Sequence, residues 1–505
     1  MISVNVKWGK EVVVADVAPG DSPAKFMEQL EAKTGVPVAR MKLMARGAWR
    51  GVLKADMSLA ALKEGQNVTL MGTAETLVAP AVATKFLEDM GEAEAAATGL
   101  VLPAGFANLG NTCYMNSTLQ CLKAVPELRA GLDALAAKRP GAGDVPGALA
   151  ETYRALDAST KPVEPARFVA TLRAAFPQFA QRGRGGGFAQ QDAEELYSTL
   201  LANLAAALTD APPRGAANVV DGLFGLELEE TLTCAESDAE PPVTRSDVAR
   251  KLVCNIQGGT AGANVNHLAE GLKLALSGSL DKRSDALGRD ATWAKTSRVS
   301  KLSPYLCVQF MRFYWKATPD SADHAGVKCK IMRPVSFNLA LDVFDFCAPP
   351  LQAAIKANRD KYGAKVDAAA LAAADAAARG EAAAAPAGDA MDEGGDDDDD
   401  LKAALALSVE APDGGGPDGA ALLARSGLPP DFQGVYELFA VVTHKGRSAD
   451  GGHYMGWVKQ DGDKWLVFDD DLVSESDAEF VKNLKGGGDE HMSYLQFYRA
   501  KSGGN

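Results

Sequence analysis

None of the seven cysteines in this 505-residue chain, at 113, 121, 234, 254, 307, 329 and 347, forms a C-x-x-C pair, and their number is odd. That rules out the disulfide framework of a small secreted protein and a zinc ribbon, and points to reduced thiols in cytoplasm or nucleus. No window holds about 18 uninterrupted apolar residues, and Met1 to Gly9 has no basic stretch ahead of an apolar core. Neither membrane insertion nor secretion is therefore expected. Positive charge is also short: 52 Lys and Arg face 66 Asp and Glu, a net charge of -14. Such a surface repels nucleic acid and suits a protein partner with basic patches. Histidine is scarcer still, with five in all, at 267, 324, 444, 453 and 491, so imidazole chemistry has few candidates.

What is present divides into several regions, because a chain of this length exceeds what one compact core holds. "ISVNV" at 2–6 and "EVVVADV" at 11–17 alternate with the period of a strand and read as a hairpin. "SPAKFMEQLEAKTGV" follows as a helix with Ser22 at the N-cap, Pro23 at the first helical position, Phe26, Met27 and Leu30 on one face, and Gly35 as the stop. Short strands come next, "ARMKLMA" at 39–45 and "NVTLMG" at 67–72. Residues 1–75 thus resemble a ubiquitin-like β-grasp domain. It lacks the terminal Gly-Gly of a conjugatable modifier, so it is expected to be a fused docking module. Residues 76–102 read as a linker, and 103–500 as a large α+β domain, helical over 113–210 and strand-rich over 219–346 and 433–499. "YLCVQFMRFYW" is among its strands. Residues 352–431 are Ala-rich and then acidic, with little to bury, and are expected to be a mobile insertion.

The chemistry centres on "NLGNTCYMNSTLQCL" at 108–122. Asn111 or Thr112 caps a helix starting at Cys113 or Tyr114, with Met115, Leu119 and Leu122 as its apolar stripe. The thiol would then face unpaired N–H groups and the positive end of the helix dipole, which favour thiolate. Asn108 can aim its amide at an oxyanion forming beside the sulfur. A lone cysteine at a helix start is more often structural than catalytic, so a base is needed. "GGHYMGWVKQDGDKWLVFDDD" supplies one: His453 begins a strand, a turn at 460–463 reverses the chain, and a second strand brings Asp469 back to the level of His453. A carboxylate there would hold the imidazole's tautomer and stabilise its cation.

"GFANLGNTCYMNSTLQCL", "GGFAQQDAEELYSTLL" and "GGHYMGWVKQDGDKWLVFDDDLVSE" resemble, in that order, the cysteine, glutamine-aspartate and histidine boxes of the ubiquitin-specific proteases. With the ubiquitin-like start and "GGGDEHMSYLQFYR", the chain is most similar to that family's proteasome-associated members. The resemblance implies a papain-like catalytic domain of fingers, palm and thumb, acting as a deubiquitinating cysteine protease without a cofactor. By position it implies Cys113 as nucleophile, His453 as general base, Asp469 as its orienting acid and Asn108 as oxyanion donor. Asp470 is an auxiliary polar contact, Gln191 and Asp192 line the channel for ubiquitin's tail, and His444 stands on a loop flanking it. Implied partners are ubiquitin, polyubiquitinated proteins and the proteasome regulatory particle.

Two departures from the family pattern bear on this reading. Only Cys234 and Cys254 occupy the region where relatives carry two zinc-binding pairs, so buried thiols and no zinc are expected, and Glu490 replaces an aromatic. "DDDDDLKAALALSVE" at 396–410 fits a ubiquitin-interacting motif, with Leu401, Ala404, Leu405 and Ser408 on one helical face. A solvated Ala-rich helix is its bland alternative. Two readings compete with the main one: a non-catalytic, proteasome-associated ubiquitin receptor, which has no need of a Cys-His-Asp set, and a cysteine peptidase of other specificity.

Overall fold

The computed structural model describes residues 1–9, 11–18, 20–72, 102–183, 185–210, 212–257, 264–316, 327–362, 419–448 and 451–502. The expected linker, but for its last residue, and the motif at 396–410 lie outside them. The chain forms two compact units, Met1–Met90 and Gly91–Asn505.

In the first unit β1 (Ile2–Trp8) and β2 (Glu11–Val17) pair antiparallel from Ile2↔Val17 to Trp8↔Glu11. Helix α1 (Pro23–Thr34) follows, its N-cap Ser22 accepting from the Lys25 N–H and its end turned at Gly35 with φ +69°. With β3 (Lys42–Met44) and β4 (Asn67–Met71) the sheet order is β2-β1-β4-β3, β1 and β4 running parallel. Alternation along the strands turns Val4, Val6, Ala15, Val17, Val68 and Leu70 inward to cover Phe26 and Leu30. That is a ubiquitin-like β-grasp. The strand expected at 39–45 shrinks to three residues because Val38–Arg40, just after Pro37, close a 3-10 turn.

The second unit begins with helices α2 (Cys113–Lys123), α3 (Pro126–Lys138), α4 (Val145–Asp157), α5 (Ala166–Ala175), α6 (Ala193–Ala207) and α7 (Val219–Phe224). Every residue of α2 from Cys113 to Leu122 is buried, and Tyr153 on α4 fixes it by donating to the Leu119 carbonyl at 2.9 Å. Strands β5 (Leu226–Cys234) and β6 (Val243–Ala249) reach outward, and β7 (Leu252–Cys254) and helix α8 (Leu268–Ala275) come before β8 (Ser277–Ser284) and β9 (Arg289–Lys301). The extended sheet β6-β5-β9-β8 has its own small core of Leu232, Cys234, Ala291 and Trp293. Cys254 is buried in a different cluster, where loss of hydration pushes its thiol up to about 12. Both cysteines are thus interior thiols with separate surroundings.

The "YLCVQFMRFYW" segment is two strands, β10 (Tyr305–Phe310) and β11 (Phe313–Lys316), the latter paired with β12 (Val327–Lys330). The break is Arg312. Fully buried, it donates to the carbonyls of Ser493, Ile331, Arg333 and Lys485 and so turns the chain out of the sheet. After β13 (Ala340–Asp342) come α9 (Pro349–Tyr362) and α10 (Gly419–Arg425). These correct the boundaries of the expected insertion. Leu351, Ala354, Ile355, Leu423 and Leu428 are buried, and Asn358 donates to the carbonyls of Pro430 and Phe432, so 352–362 and 419–431 belong to the folded body. Finally β14 (Val435–Lys445), β15 (His453–Lys459), β16 (Lys464–Asp469), β17 (Leu472–Asp477), α11 (Ala478–Lys482) and β18 (Met492–Ala500) complete a sheet ordered β17-β16-β15-β14-β18-β10-β7. Helix α2 lies on β15. At Gly456 a Cβ would stand 3.0 Å from the Ser117 carbonyl oxygen, so the close approach needs glycine.

Candidate active site

Cys113 is the first residue of α2, 3% exposed. Thr112 occupies the N-cap position but makes no side-chain cap bond; its hydroxyl accepts instead from the Leu109 N–H at 2.9 Å. Asn111 does not cap either. Its φ is +54°, and its amide donates to the Phe188 carbonyl at 2.9 Å. Without a capping side chain, the opening N–H groups of α2 stay available beside the sulfur, as an anion-stabilising helix start requires.

His453 opens β15. The β15–β16 ladder runs from Lys459↔Trp465 to Gly456↔Phe468, and Asp469 follows at its end, where Asp469 Oδ1 lies 2.5 Å from His453 Nε2. The ring's other nitrogen is left for the thiol. The neighbouring Cys113 side chain and, with it, Asp469 hold the imidazole's pKa up at about 9 against the opposing effect of burial. A sulfur, an imidazole and a carboxylate thus stand in series, with both outer groups favouring the imidazolium.

Asp470 has φ +54° and is buried. Its two carboxylate oxygens accept from Asn108 Nδ2 and Asn116 Nδ2, each at 2.8 Å, and its main-chain carbonyl accepts from the Phe106 N–H at 2.8 Å. The cysteine loop and the histidine hairpin are therefore joined through one residue. At Gly105 a Cβ would come within 2.4 Å of the Asp470 carbonyl oxygen, so no other residue fits that seam. Asn108 is committed more fully than its expected oxyanion role requires. Its carbonyl accepts from the Gly110 and Thr112 N–H groups and shapes the loop, and one amide hydrogen is given to Asp470. His453, Asp469 and Asp470 offer ligand atoms within 4.8 Å of one another, each already engaged in these bonds.

The remaining expected residues are spread more widely. Asp192 caps α6 by accepting from the Glu194 N–H, also accepts from the Tyr494 hydroxyl at 2.6 Å, and lines an open cavity of about 210 Å³ with Phe313, Tyr314 and Lys328. Gln191 turns back to the Ala189 carbonyl at 3.4 Å. Its neighbour Gln190, which the sequence reading passed over, is the glutamine whose amide reaches the Cys113 sulfur, at 3.8 Å. Nothing in "AQQDAEE" separates the two glutamines beforehand, since the choice depends on how the loop enters α6.

His444 lies within β14 rather than on a loop and is 1% exposed, its ring edge-on to Phe313 and Tyr454. Lys330 approaches its Nδ1 at 2.5 Å and also donates to the carbonyls of His444, at 3.2 Å, and Gly446, at 2.7 Å. Burial, then Lys330, pushes His444 down to about 3, while burial and Arg312 bring Lys330 down to about 7. His491, with its ring 6.4 Å from that of His453 and Nδ1 3.1 Å from the Thr443 hydroxyl, is pushed by burial down to about 4. Glu490, beside it, is exposed.

Residues 104–498 match the family model described as "Ubiquitin carboxyl-terminal hydrolase". The chain is 40% identical over 519 residues to ubiquitin carboxyl-terminal hydrolase 6 of Arabidopsis thaliana, covering 99% of each. It is 33% identical to ubiquitin carboxyl-terminal hydrolase 6 of Schizosaccharomyces pombe, again over 99% of each. With ubiquitin carboxyl-terminal hydrolase 14 of Caenorhabditis elegans it shares 30% over 99% of its own length and 93% of the relative's. On this full-length similarity and the matched domain, the chain belongs to the ubiquitin carboxyl-terminal hydrolase family and is a deubiquitinating thiol hydrolase.

Proposed function

We propose that hydrolysis after ubiquitin's terminal glycine runs through Cys113 as nucleophile, His453 as acid and base, and Asp469 as the group that orients His453. The thiolate attacks the glycyl carbonyl carbon, a C–S bond forms, and the carbonyl electrons move to oxygen. The uncapped N–H groups of α2 and the second amide hydrogen of Asn108 stabilise that oxyanion. When the intermediate collapses, the C–N bond breaks and the departing lysine amine takes its proton from His453. Water then attacks the thioester, gives a proton back to His453, and the thiolate leaves. Gln191, Asp192 and His444 belong to the walls of the tail channel in this reading, His444 from within. The observation that carries it is the 2.5 Å bond from Asp469 to His453, on a ring whose pKa the neighbouring Cys113 side chain also raises.

We propose further that residues 1–75 dock on the regulatory particle of the proteasome, in cytoplasm and nucleus, and that Leu401, Ala404, Leu405 and Ser408 hold a second ubiquitin of a chain. The first rests on the ubiquitin-like fold of the N-terminal unit, which exposes Val12, Val14 and Met71; the second rests on the motif alone. A ubiquitin probe with a thiol-reactive C-terminus tests these together. Labelling is expected in the whole protein, lost in Cys113→Ala, and found in the proteasome fraction after sedimentation. An unlabelled wild type that still binds ubiquitin would be a receptor, and the catalytic reading would fall.

A further inference from the structure

A lysine ammonium has three N–H donors, and Lys330 meets an acceptor for each: His444 Nδ1, the His444 carbonyl and the Gly446 carbonyl. Two belong to the end of β14 and the third to Gly446 just beyond it, all more than 110 positions away in sequence. Among the described residues no carboxylate stands at ion-pair distance from this ammonium. The side chain is half-buried and its amine is committed to these three acceptors rather than to a carboxylate, an arrangement that calls for a role.

The neighbouring geometry supplies one. Between β14 and β15 stand Gly446 (φ +97°) and Gly452 (φ +127°), both in a conformation that favours glycine. A Cβ on Gly452 would lie 2.7 and 2.8 Å from Cε1 and Nε2 of His444, so that imidazole is the surface on which the residue before His453 rests. The ladder pairs Lys445 with His453 and His444 with Tyr454. A displacement of His444 is therefore passed directly to His453.

We propose that Lys330 is a positioning residue for the imidazole of His453, fixing His444 and Gly446, and through the His444 ring Gly452, so that His453 meets Cys113. This rests on the reading of Cys113 and His453 given above. In this role Lys330 acts through the ring of His444 and the backbone at Gly446 and Gly452.

The test compares Lys330→Met, which keeps the stem and removes the donors, with wild type, using a ubiquitin–fluorophore substrate and active-site titration with the ubiquitin probe. Per titrated site, kcat is expected to fall by about tenfold with KM changed less than about twofold, a loss of the size that misplacing a catalytic group produces. The alkaline limb of kcat/KM should also move to lower pH, because a loosened imidazole loses the sulfur contact that raises its pKa. Lys330→Gln, which retains one donor group, should fall between the two, and it decides the matter if Lys330→Met gives no titratable protein. Wild-type kcat and limb in these variants would overturn the proposal. So would a raised KM with kcat unchanged, which would assign Lys330 to ubiquitin binding, or a lowered kcat with the limb unmoved. If wild type itself is not labelled at Cys113, the catalytic reading has failed, not the role of Lys330.

Discussion

His453 has two neighbours, Cys113 and Asp469, that act on it in the same direction, and its titration is the most direct report on the site. With its pKa held at about 9 by Cys113 and Asp469, the alkaline limb of kcat/KM is expected near that pH. Asp469→Asn should move the limb lower and reduce kcat by roughly 10²-fold or more, as the tautomer and the cation lose their support; a stopped pH–rate series checks both. The other two imidazoles shift the opposite way. A histidine whose pKa is raised stabilises the fold fully below its ordinary 6.5 and loses that contribution as pH rises through about 9, the case of His453. One whose pKa is lowered stabilises fully above 6.5 and loses that contribution as pH falls toward its folded value, about 3 for His444 and about 4 for His491. The unfolding midpoint of His491→Gln should therefore depend less on pH than that of wild type between pH 6.5 and 4, and equal slopes would count against a buried neutral ring. At this scale the sequence disclosed what local pattern encodes: a cysteine at a helix start, and an Asp a hairpin's length from a histidine. It could not disclose that the Asn108 amide is taken by Asp470, 362 positions on, or that His444 is capped by Lys330, because those partners meet only in the fold.

Among the elements, short strands with alternating apolar residues were readable, and the junctions between them were not. The hairpin of β15 and β16 follows from its Asp-Gly turn, and its register brings Asp469 to His453 as expected. The interruption between β10 and β11 gives no local warning, since "YLCVQFMRFYW" has the composition of one strand. It exists because Arg312 finds four carbonyls from three segments of chain. Replacing it with Met would leave those carbonyls buried without a donor, at an expected cost of about 3 kcal/mol or more. Hydrogen exchange should locate that loss around 331–333 and 485–493 while β5 and β9 stay protected. In the extended sheet, Trp293→Ala removes the largest member of a four-residue core, at about 3–5 kcal/mol. Exchange there should rise in β5, β8 and β9 and leave α2 unchanged. The ends of the Ala-rich tract differ from the sequence expectation for a similar reason. Leu351, Ile355, Leu423 and Leu428 are too sparse to form a periodic stripe, yet each has a buried place in the larger core.

For the molecule as a whole, the two units have separate hydrophobic cores, one built on Phe26 and Leu30, the other divided between the helical half and the sheets. Removing residues 1–75 is therefore expected to leave the thermal transition of the catalytic unit within a few degrees and hydrolysis of ubiquitin–fluorophore within about twofold, since the catalytic unit has cores of its own. Co-sedimentation with proteasomes should disappear in the same protein, and its persistence would place the docking surface elsewhere. Strand β18 comes after every other described element in sequence and lies between β14 and β10, so a segment late in the order of the chain fills the middle of the sheet. During synthesis the nucleophile is made early and its base late. A nascent polypeptide accordingly has no partner for its thiol until the strand from Met492 is made, and a stop codon before Met492 should yield a product that the ubiquitin probe never labels.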